Sequence, residues 1–166
     1  MGLDNIPHNY PCKTRGTAVK VPRLNNENQP ILEEDGSVMT RIDCQATQAC
    51  GGCPYTTELA KQDQTSIGNP VYGMFGTDCW YRGKWGNHLL AASGISEESN
   101  SFYGDNEDGT EKSAESCIQL ADMIDEILYE GEALIIQGED ARPDLRYASW
   151  YLRWAAEYAD GLTCWY

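Results

Sequence analysis

Apolar and polar positions divide the chain into a first half of short alternating or aromatic runs and a second half of helical spacing. Over residues 14–21 (TRGTAVKV) the β-branched Thr17, Val19 and Val21 alternate with other residues, which predicts a strand with one buried face. The polar run 25–30 reads as a loop. Residues 31–42 read as a hairpin, because Asp35-Gly36 supplies the positive φ angles of a tight turn between Ile31-Leu32 and Val38-Met39. Residues 44–53 read as a loop built on Gly51-Gly52, and Pro54 opens a helix over 54–62. Asn69-Pro70 breaks the chain, and the glycine-punctuated aromatic run 71–82 (VYGMFGTDCWYR) favours bent or bulged strands. A short helix over 85–93 ends at Gly94, and the Ser, Asn, Asp, Glu and Gly of 97–112 form an exposed connection. No internal repeat is visible.

Two longer helices follow. In the first, Ala114, Cys117, Ile118, Ala121, Ile124 and Leu128 recur at helical spacing, Asp122, Asp125, Glu126 and Glu130 take the other side, and Gly131 is placed to end it. The second begins near Pro143 and runs to Asp160, with Gly161 as its left-handed stop. It carries a small-residue stripe (Leu145, Ala148, Leu152, Ala155, Ala159) beside an aromatic one (Tyr147, Tyr151, Trp154, Tyr158), so its apolar face is wide. Between them, residues 132–137 (EALIIQ) fit a buried strand or more helix, which periodicity does not separate.

Composition adds a size and a charge. At 166 residues with 41% apolar side chains the chain suits one domain, able to bury about 70% of its unfolded surface. No run approaches the ~20 apolar residues needed to cross a bilayer, and MGLDNIPHNY has neither the basic start nor the apolar run of a signal peptide, so the expectation is a cytoplasmic protein with no membrane partner. The net charge of −14 is lopsided: residues 1–90 carry 8 Lys/Arg against 9 Asp/Glu, and residues 91–166 carry 4 against 17. That field repels phosphate backbones, which argues against direct nucleic-acid binding through the acidic half and favours a basic protein partner. The same charges also serve simply to solvate helix faces.

Seven cysteines in a reducing compartment point to metal ligation, buried thiols or redox chemistry before disulfides. Cys50-Gly-Gly-Cys53, with Cys44 six residues before it, Cys12 upstream and Cys79 downstream, offers thiolates for one tetrahedral ion, five cysteines competing for four places. Zinc suits such a structural site, and an iron–sulfur cluster is the alternative. There is no second Cys-x2-Cys knuckle, so buried free thiols are the competing reading, and Cys117 and Cys164 are read that way. A thioredoxin-like role needs a βαβ unit that the pattern does not show.

Other candidates are weaker. His8 and His88 are a spare metal ligand or the base for a nucleophilic cysteine only if a third group orients them, and ordinary surface histidine is the default. An EF-hand alignment of the acidic loop on Gly109 puts Asn106, Asp108 and Glu115 at ligand positions but Gly104, which has no side-chain oxygen, at the first; a solvated loop before a helix starting at Ser113 fits better. The chain lacks a phosphate-binding loop, His-Glu-x-x-His, Gly-x-Ser-x-Gly and a basic stripe interleaved with aromatics. Trp80, Tyr81, Trp85, Trp150, Trp154, Trp165 and Tyr166 supply aromatic surface, read mainly as core.

Three segments, GLDNIPHNYPC, YGMFGTDCWYRGKWGNHLL and YLRWAAEYADGLTCWY, resemble uncharacterised accessory proteins encoded by tailed bacteriophages. The resemblance covers less than a third of the chain, implies a viral source, hence a host-cell cytoplasmic setting, and carries over no functional residue. The expected fold is α+β in a single domain, 1–166: a Cys-bearing strand and loop half (1–94), an acidic loop (95–112) and a helical acidic half (113–166) whose two amphipathic helices pack on the first. The expected role is a non-enzymatic accessory protein that binds a host or viral protein through its acidic helical surface, stapled by metal at Cys12, Cys44, Cys50, Cys53 and Cys79. The alternatives are a thiol-dependent enzyme or redox protein using Cys50, Cys53 or Cys79, a virion component, and a charge mimic of nucleic acid, for which the carboxylate spacing is irregular. Oligomeric state is left open.

Overall fold

The structure is a computed structural model and describes residues 3–9, 11–59, 61–62, 81–83, 105, 108, 110–130, 134–136 and 138–165. Its class is α+β, as the pattern of elements predicts. The expectations for residues 71–80 and 84–104, including Cys79, Trp80, Trp85 and His88, lie outside the described residues.

One antiparallel sheet supports the molecule. Strand β1 (Leu3–Pro7) is central and pairs on one side with β4 (Tyr81–Gly83) and on the other with β8 (Gly161–Trp165), which in turn pairs with β5 (Glu111–Ser113). The register sets Asn5 against Cys164, and Pro7 and Lys112 on either side of Leu162. All five are buried while Ile6 and Thr163 are only half-buried and Glu111 is exposed, the period of two expected of a sheet with one covered face. Neither β1 nor β8 is predicted by sequence pattern. Their hydrophobic content is low, and a buried Asn and a buried Cys occupy positions that an apolar alternation would fill.

Helices α4 (Ala114–Tyr129) and α5 (Arg142–Tyr158) lie side by side and pack on this sheet. The first is capped by Ser113, whose hydroxyl accepts from Ser116 N–H, and its face of Cys117, Leu120, Ala121 and Ile124 is buried; of the positions that spacing predicts, Ala114, Ile118 and Leu128 are only half-buried, and Leu120 joins the core instead. Both predicted stripes of α5 enter the core; only Tyr158 at the end is half-buried. The helix stops at Tyr158, Asp160 takes the left-handed conformation, and Gly161 begins β8. The left-handed stop expected at Gly161 thus falls on Asp160, and Gly161 serves another end: a Cβ there would collide with the Lys112 carbonyl, and its φ of +111° is open only to glycine, which lets β8 meet β5. Between the helices, β6 (Ile135–Ile136) and β7 (Glu139–Asp140) pair antiparallel; residues 135–136 are strand, but Ile135 is exposed and Ile136 half-buried, not the buried strand expected, and residues 132, 133 and 137 lie outside the described residues.

Two expected elements of the first half are corrected. Residues 14–21 are not a strand: Pro11–Thr14 form the helical turn α1, and the chain becomes extended only at β2 (Lys20–Pro22). Gly16, at φ +70°, ends α1 with Thr17 N–H on the Cys12 carbonyl and Gly16 N–H on the Lys13 carbonyl, the paired bonds of a Schellman stop. Residues 44–53 are not a simple loop: Cys44–Ala49 form α2, whose first-turn N–H at Ala46 is capped by the Asp43 carboxylate, and Gly51 at φ +73° ends it with Gly52 N–H on the Thr47 carbonyl. In both cases a glycine is a helix stop, Gly16 having been read within a strand and Gly51 within a loop, and the helices are too short for periodicity to reveal. Helix α3 (Pro54–Leu59) starts at Pro54 as predicted.

Residues 20–42 form a separate lobe. Strand β2 pairs with β3 (Thr40–Ile42) as a neck, and two hairpins grow from it, closed by bridges Leu24↔Pro30 and Leu32↔Val38. The predicted hairpin turn at Asp35-Gly36 is present, but it is one of two. Asn28 N–H meets the Asn25 carbonyl and Asn25 N–H the Gln29 carbonyl; eight residues on, Gly36 N–H meets the Glu33 carbonyl and Glu33 N–H the Ser37 carbonyl. Asn28 and Gly36 both have positive φ, 61° and 82°. The two turns thus share one geometry eight residues apart without a repeat in the letters, because Asn and Gly fill the same left-handed position by different means.

Candidate functional site

Three places in the molecule gather chemistry-bearing side chains: the cysteine turn, a buried lysine with two thiols, and the outer face of α4.

At the cysteine turn, one hydroxyl ties two distant segments: Thr17 Oγ1 lies 3.4 Å from the Cys12 carbonyl oxygen and 2.6 Å from that of Gly52. A Cβ on Gly52 would come within 2.7 Å of the Thr17 carbonyl oxygen, so the second glycine of the motif is required by close packing of backbone. Buried Thr47 completes the clasp, accepting from Val19 N–H and donating to the Asp43 carbonyl. Backbone contacts thus bring Cys12 and the Cys50–Cys53 turn together. Cys12 and Cys53 are buried, Cys44 is half-buried and Cys50 is exposed, and Cys79 lies outside the described residues. Among the described residues no three His, Cys, Asp or Glu side chains are grouped to share a metal ion.

Immediately after Cys53, helix α3 delivers Tyr55 into the core. Its ring packs on Trp150, Tyr151 and Trp154 at 5.7, 6.3 and 5.3 Å, and its hydroxyl is 2.6 Å from that of Tyr147. The rings of Tyr147, Tyr151, Trp154 and Tyr158 stack along α5 at 5.8–6.2 Å, and the Arg15 guanidinium covers the last of them at 4.6 Å. Sequence reading places this aromatic stripe correctly but misses its partner, because Tyr55 has no periodic context within a six-residue helix.

The second cluster was not anticipated. Lys112 is buried on the covered face of the sheet, its Nζ 3.8 Å from Asp105, and Cys117 and Cys164 belong to the same environment. Burial pushes the Cys117 thiol up to about 12 and Cys164 to about 11, and the nearby Lys112 charge does not reverse it. Both stay protonated and inert near neutrality, as their reading as buried thiols requires. Asp105 lies in the segment read as a solvated or calcium-binding loop. Partial burial pushes its carboxyl up, but hydrogen bonds from Ser113 and Ser116 and the Lys112 charge outweigh this and hold it below the usual range. Its carboxylate thus fastens the start of α4. Asp108 is exposed, and the remaining expected loop ligands Gly104 and Asn106 lie outside the described residues. His8 sits 3.7 Å from Glu111 at the sheet edge, an exposed placement that matches its default reading.

On the outer face of α4, Asp122, Asp125, Glu126 and Glu130 line an open concavity of ≈ 560 Å³ together with Tyr129. Arg153 of α5 reaches across, its guanidinium 2.7 Å from Asp122 and 2.6 Å from Asp125, and Ser149 donates to Asp125 at 2.6 Å. One guanidinium faces four carboxylates, so the concavity stays strongly negative. Tyr129 is 91% exposed, and Ile135 of β6 is 59% exposed.

No family model matches the chain, and no curated protein or solved structure is significantly similar to it. No helix among the described residues is long and apolar enough to cross a membrane.

Proposed function

We propose that this chain is a non-enzymatic accessory protein that binds a basic host or viral protein through the outer face of α4. The observation that carries the reading is Tyr129, an almost fully exposed aromatic ring set among Asp122, Asp125, Glu126 and Glu130. An aromatic side chain held in water at this cost is the usual anchor of a protein interface, and the surrounding carboxylates select a basic partner and speed its approach. The accessory viral role rests on the resemblance of the three segments quoted above.

Affinity capture from host extract with the native chain, the Tyr129→Ala variant and the Glu126→Lys/Glu130→Lys variant tests it. A basic protein retained by the native chain, released as salt rises and lost in both variants is the expected result. Retention that ignores both variants overturns the reading. The cysteine staple is a separate proposal, supported by the convergence of the Cys12 and Gly52 carbonyls on the Thr17 hydroxyl and by the nearness in sequence of Cys44, Cys50 and Cys53. Native mass spectrometry of reduced protein, before and after chelation, tests zinc or an iron–sulfur cluster there: a bound mass removed by chelator supports it, and an apo mass at the start removes it. Thiol chemistry has the exposure of Cys50 in its favour, and alkylation of Cys50 no faster than that of a small free thiol counts against it.

A further inference from the structure

The aromatic rings packed on α5 form a connected path that comes near water at both ends. Trp150 is half-buried, and its ring lies 5.7 Å from Tyr55 and 5.6 Å from Tyr147. Tyr55 is fully buried and lies 5.3 Å from Trp154, which in turn lies 6.2 Å from Tyr158, again half-buried. A second branch reaches the same Trp154 from Tyr147 by way of Tyr151, at 6.2 and 5.8 Å. Ring centres this close put ring edges at or near van der Waals contact. Trp150 and Tyr158 stand eight residues apart on one helix, a rise of about 12 Å that three ring-to-ring steps cross.

Indole and phenol are readily oxidised side chains, and rings in contact exchange an electron without any atom having to travel. Where the resulting electron hole comes to rest is decided by a proton. A ring that has lost an electron is a strong acid, and the hole is fixed where that proton can leave. Trp154 is a poor place for it. The residue is 3% exposed, its indole nitrogen can only donate, and that N–H has no hydrogen-bond partner among the described residues. An oxidised Trp154 therefore keeps its proton and its positive charge inside an apolar core, where a charge is costly. Tyr55, Tyr147 and Tyr151 are likewise buried away from the water that accepts protons most readily.

Tyr158 is placed the other way. Trp154 is the ring it packs on among the described residues, it is half-buried, and Glu157 beside it is exposed. Partial burial, and after it the carboxylates of Glu157 and Glu58, raise its phenol above the ordinary value, so proton acceptors stand within reach of it. The Arg15 guanidinium lies 4.6 Å over the ring. That cation opposes a positively charged radical and tolerates a neutral one, so it too favours loss of the phenolic proton.

We propose that the aromatic path of α5 conducts one-electron oxidation through the core and delivers it to Tyr158. A small radical oxidant takes one electron from Trp150 at the surface. One electron then moves inward from Tyr158 by way of Trp154 and Tyr55 and restores Trp150. Tyr158 is left as a neutral phenoxyl radical, its proton passed to the Glu157 carboxylate or to water. One electron has gone to the oxidant and one proton has left the phenol, so charge balances. Tyr158 is then the position at which radical oxidants modify this chain, and the buried thiols of Cys53, Cys117 and Cys164 in the same core are spared. The path is independent of the acidic face of α4.

Pulse radiolysis of the full chain in azide solution tests this, because the azide radical takes its electron from tryptophan in preference to tyrosine. The expected result is decay of the indolyl absorption matched by growth of the phenoxyl absorption, in a first-order phase whose rate does not change with protein concentration. That phase should be lost in Tyr158→Phe, which removes one half-exposed hydroxyl and keeps the ring. It should be lost again in Trp154→Phe, which keeps an aromatic ring in the core but one too hard to oxidise. Circular dichroism establishes that each variant is folded, and if Trp154→Phe is not, Tyr158→Phe decides alone. A concentration-independent phase that persists in folded Tyr158→Phe overturns the proposal. Phenoxyl growth proportional to protein concentration in the native chain overturns it as well, since transfer would then run between molecules.

Discussion

The helical core and the hairpin lobe are ordered by opposite means. In the core, α4, α5 and Tyr55 bury side chains against the sheet, and position is decided by shape and apolar area. In the lobe no side chain is buried, and three backbone bonds among Arg23, Ile31 and Met39 with two left-handed turns define the path. The difference teaches where this chain can be altered. Truncating a side chain should be costly in one region and nearly free in the other, whereas backbone demands matter in both.

The largest expected effect sharpens that contrast. Tyr55→Ala removes a fully buried ring and leaves the Tyr147 hydroxyl without its partner, and should cost about 3–5 kcal/mol, while Leu32→Ala should change stability by less than about 0.5 kcal/mol. Urea midpoints of the two variants measure it; equal losses would erase the distinction between the regions. Next, Gly161→Ala combines a forbidden φ with a collision against the Lys112 carbonyl and should cost about 3 kcal/mol, read the same way.

The third expectation concerns pH. Cys117 and Cys164 hold their protons to about 12 and about 11 in the folded chain, against 9.0 for an ordinary thiol. Above pH 9 the unfolded chain therefore binds fewer protons than the native one, and stability falls as pH rises. The two thiols together should remove roughly 2–3 kcal/mol by pH 10, fully present again below about pH 8. Denaturation at pH 7.5 and pH 10 shows this loss, and Cys117→Ala/Cys164→Ala should flatten it. The smallest effect returns to the lobe. Asn28→Gly should stabilise by up to about 1 kcal/mol because glycine adopts the left-handed turn without strain, and Gly36→Ala should destabilise by about 1 kcal/mol for the converse reason. Opposite signs at two positions eight apart would establish that they are equivalent.

Much of the second half was legible beforehand. The buried faces of α4 and α5 follow from spacing over fifteen or more residues, where many positions repeat one message. The first half was less legible because its elements are three to six residues long. Gly16, read within a strand, and Gly51, read within a loop, are helix stops, and the capping Asp43 is the available signal for α2. Of the candidate site, the carboxylates of α4 were placed on the solvent side correctly, whereas the exposure of Tyr129 depends on where the helix ends against its neighbours.

By itself, the amino-acid order determined the amphipathic helices, the turn at Asp35-Gly36 and the concentration of negative charge in the second half, since each depends on residues close together in the chain. Only the tertiary structure decided that β1 and β8 share a sheet, that Tyr55 fills the aromatic face of α5, and that Lys112 lies beside two thiols. Those outcomes depend on contacts between segments dozens of residues apart, where pairing is chosen by which surfaces remain to be covered once the local elements have formed.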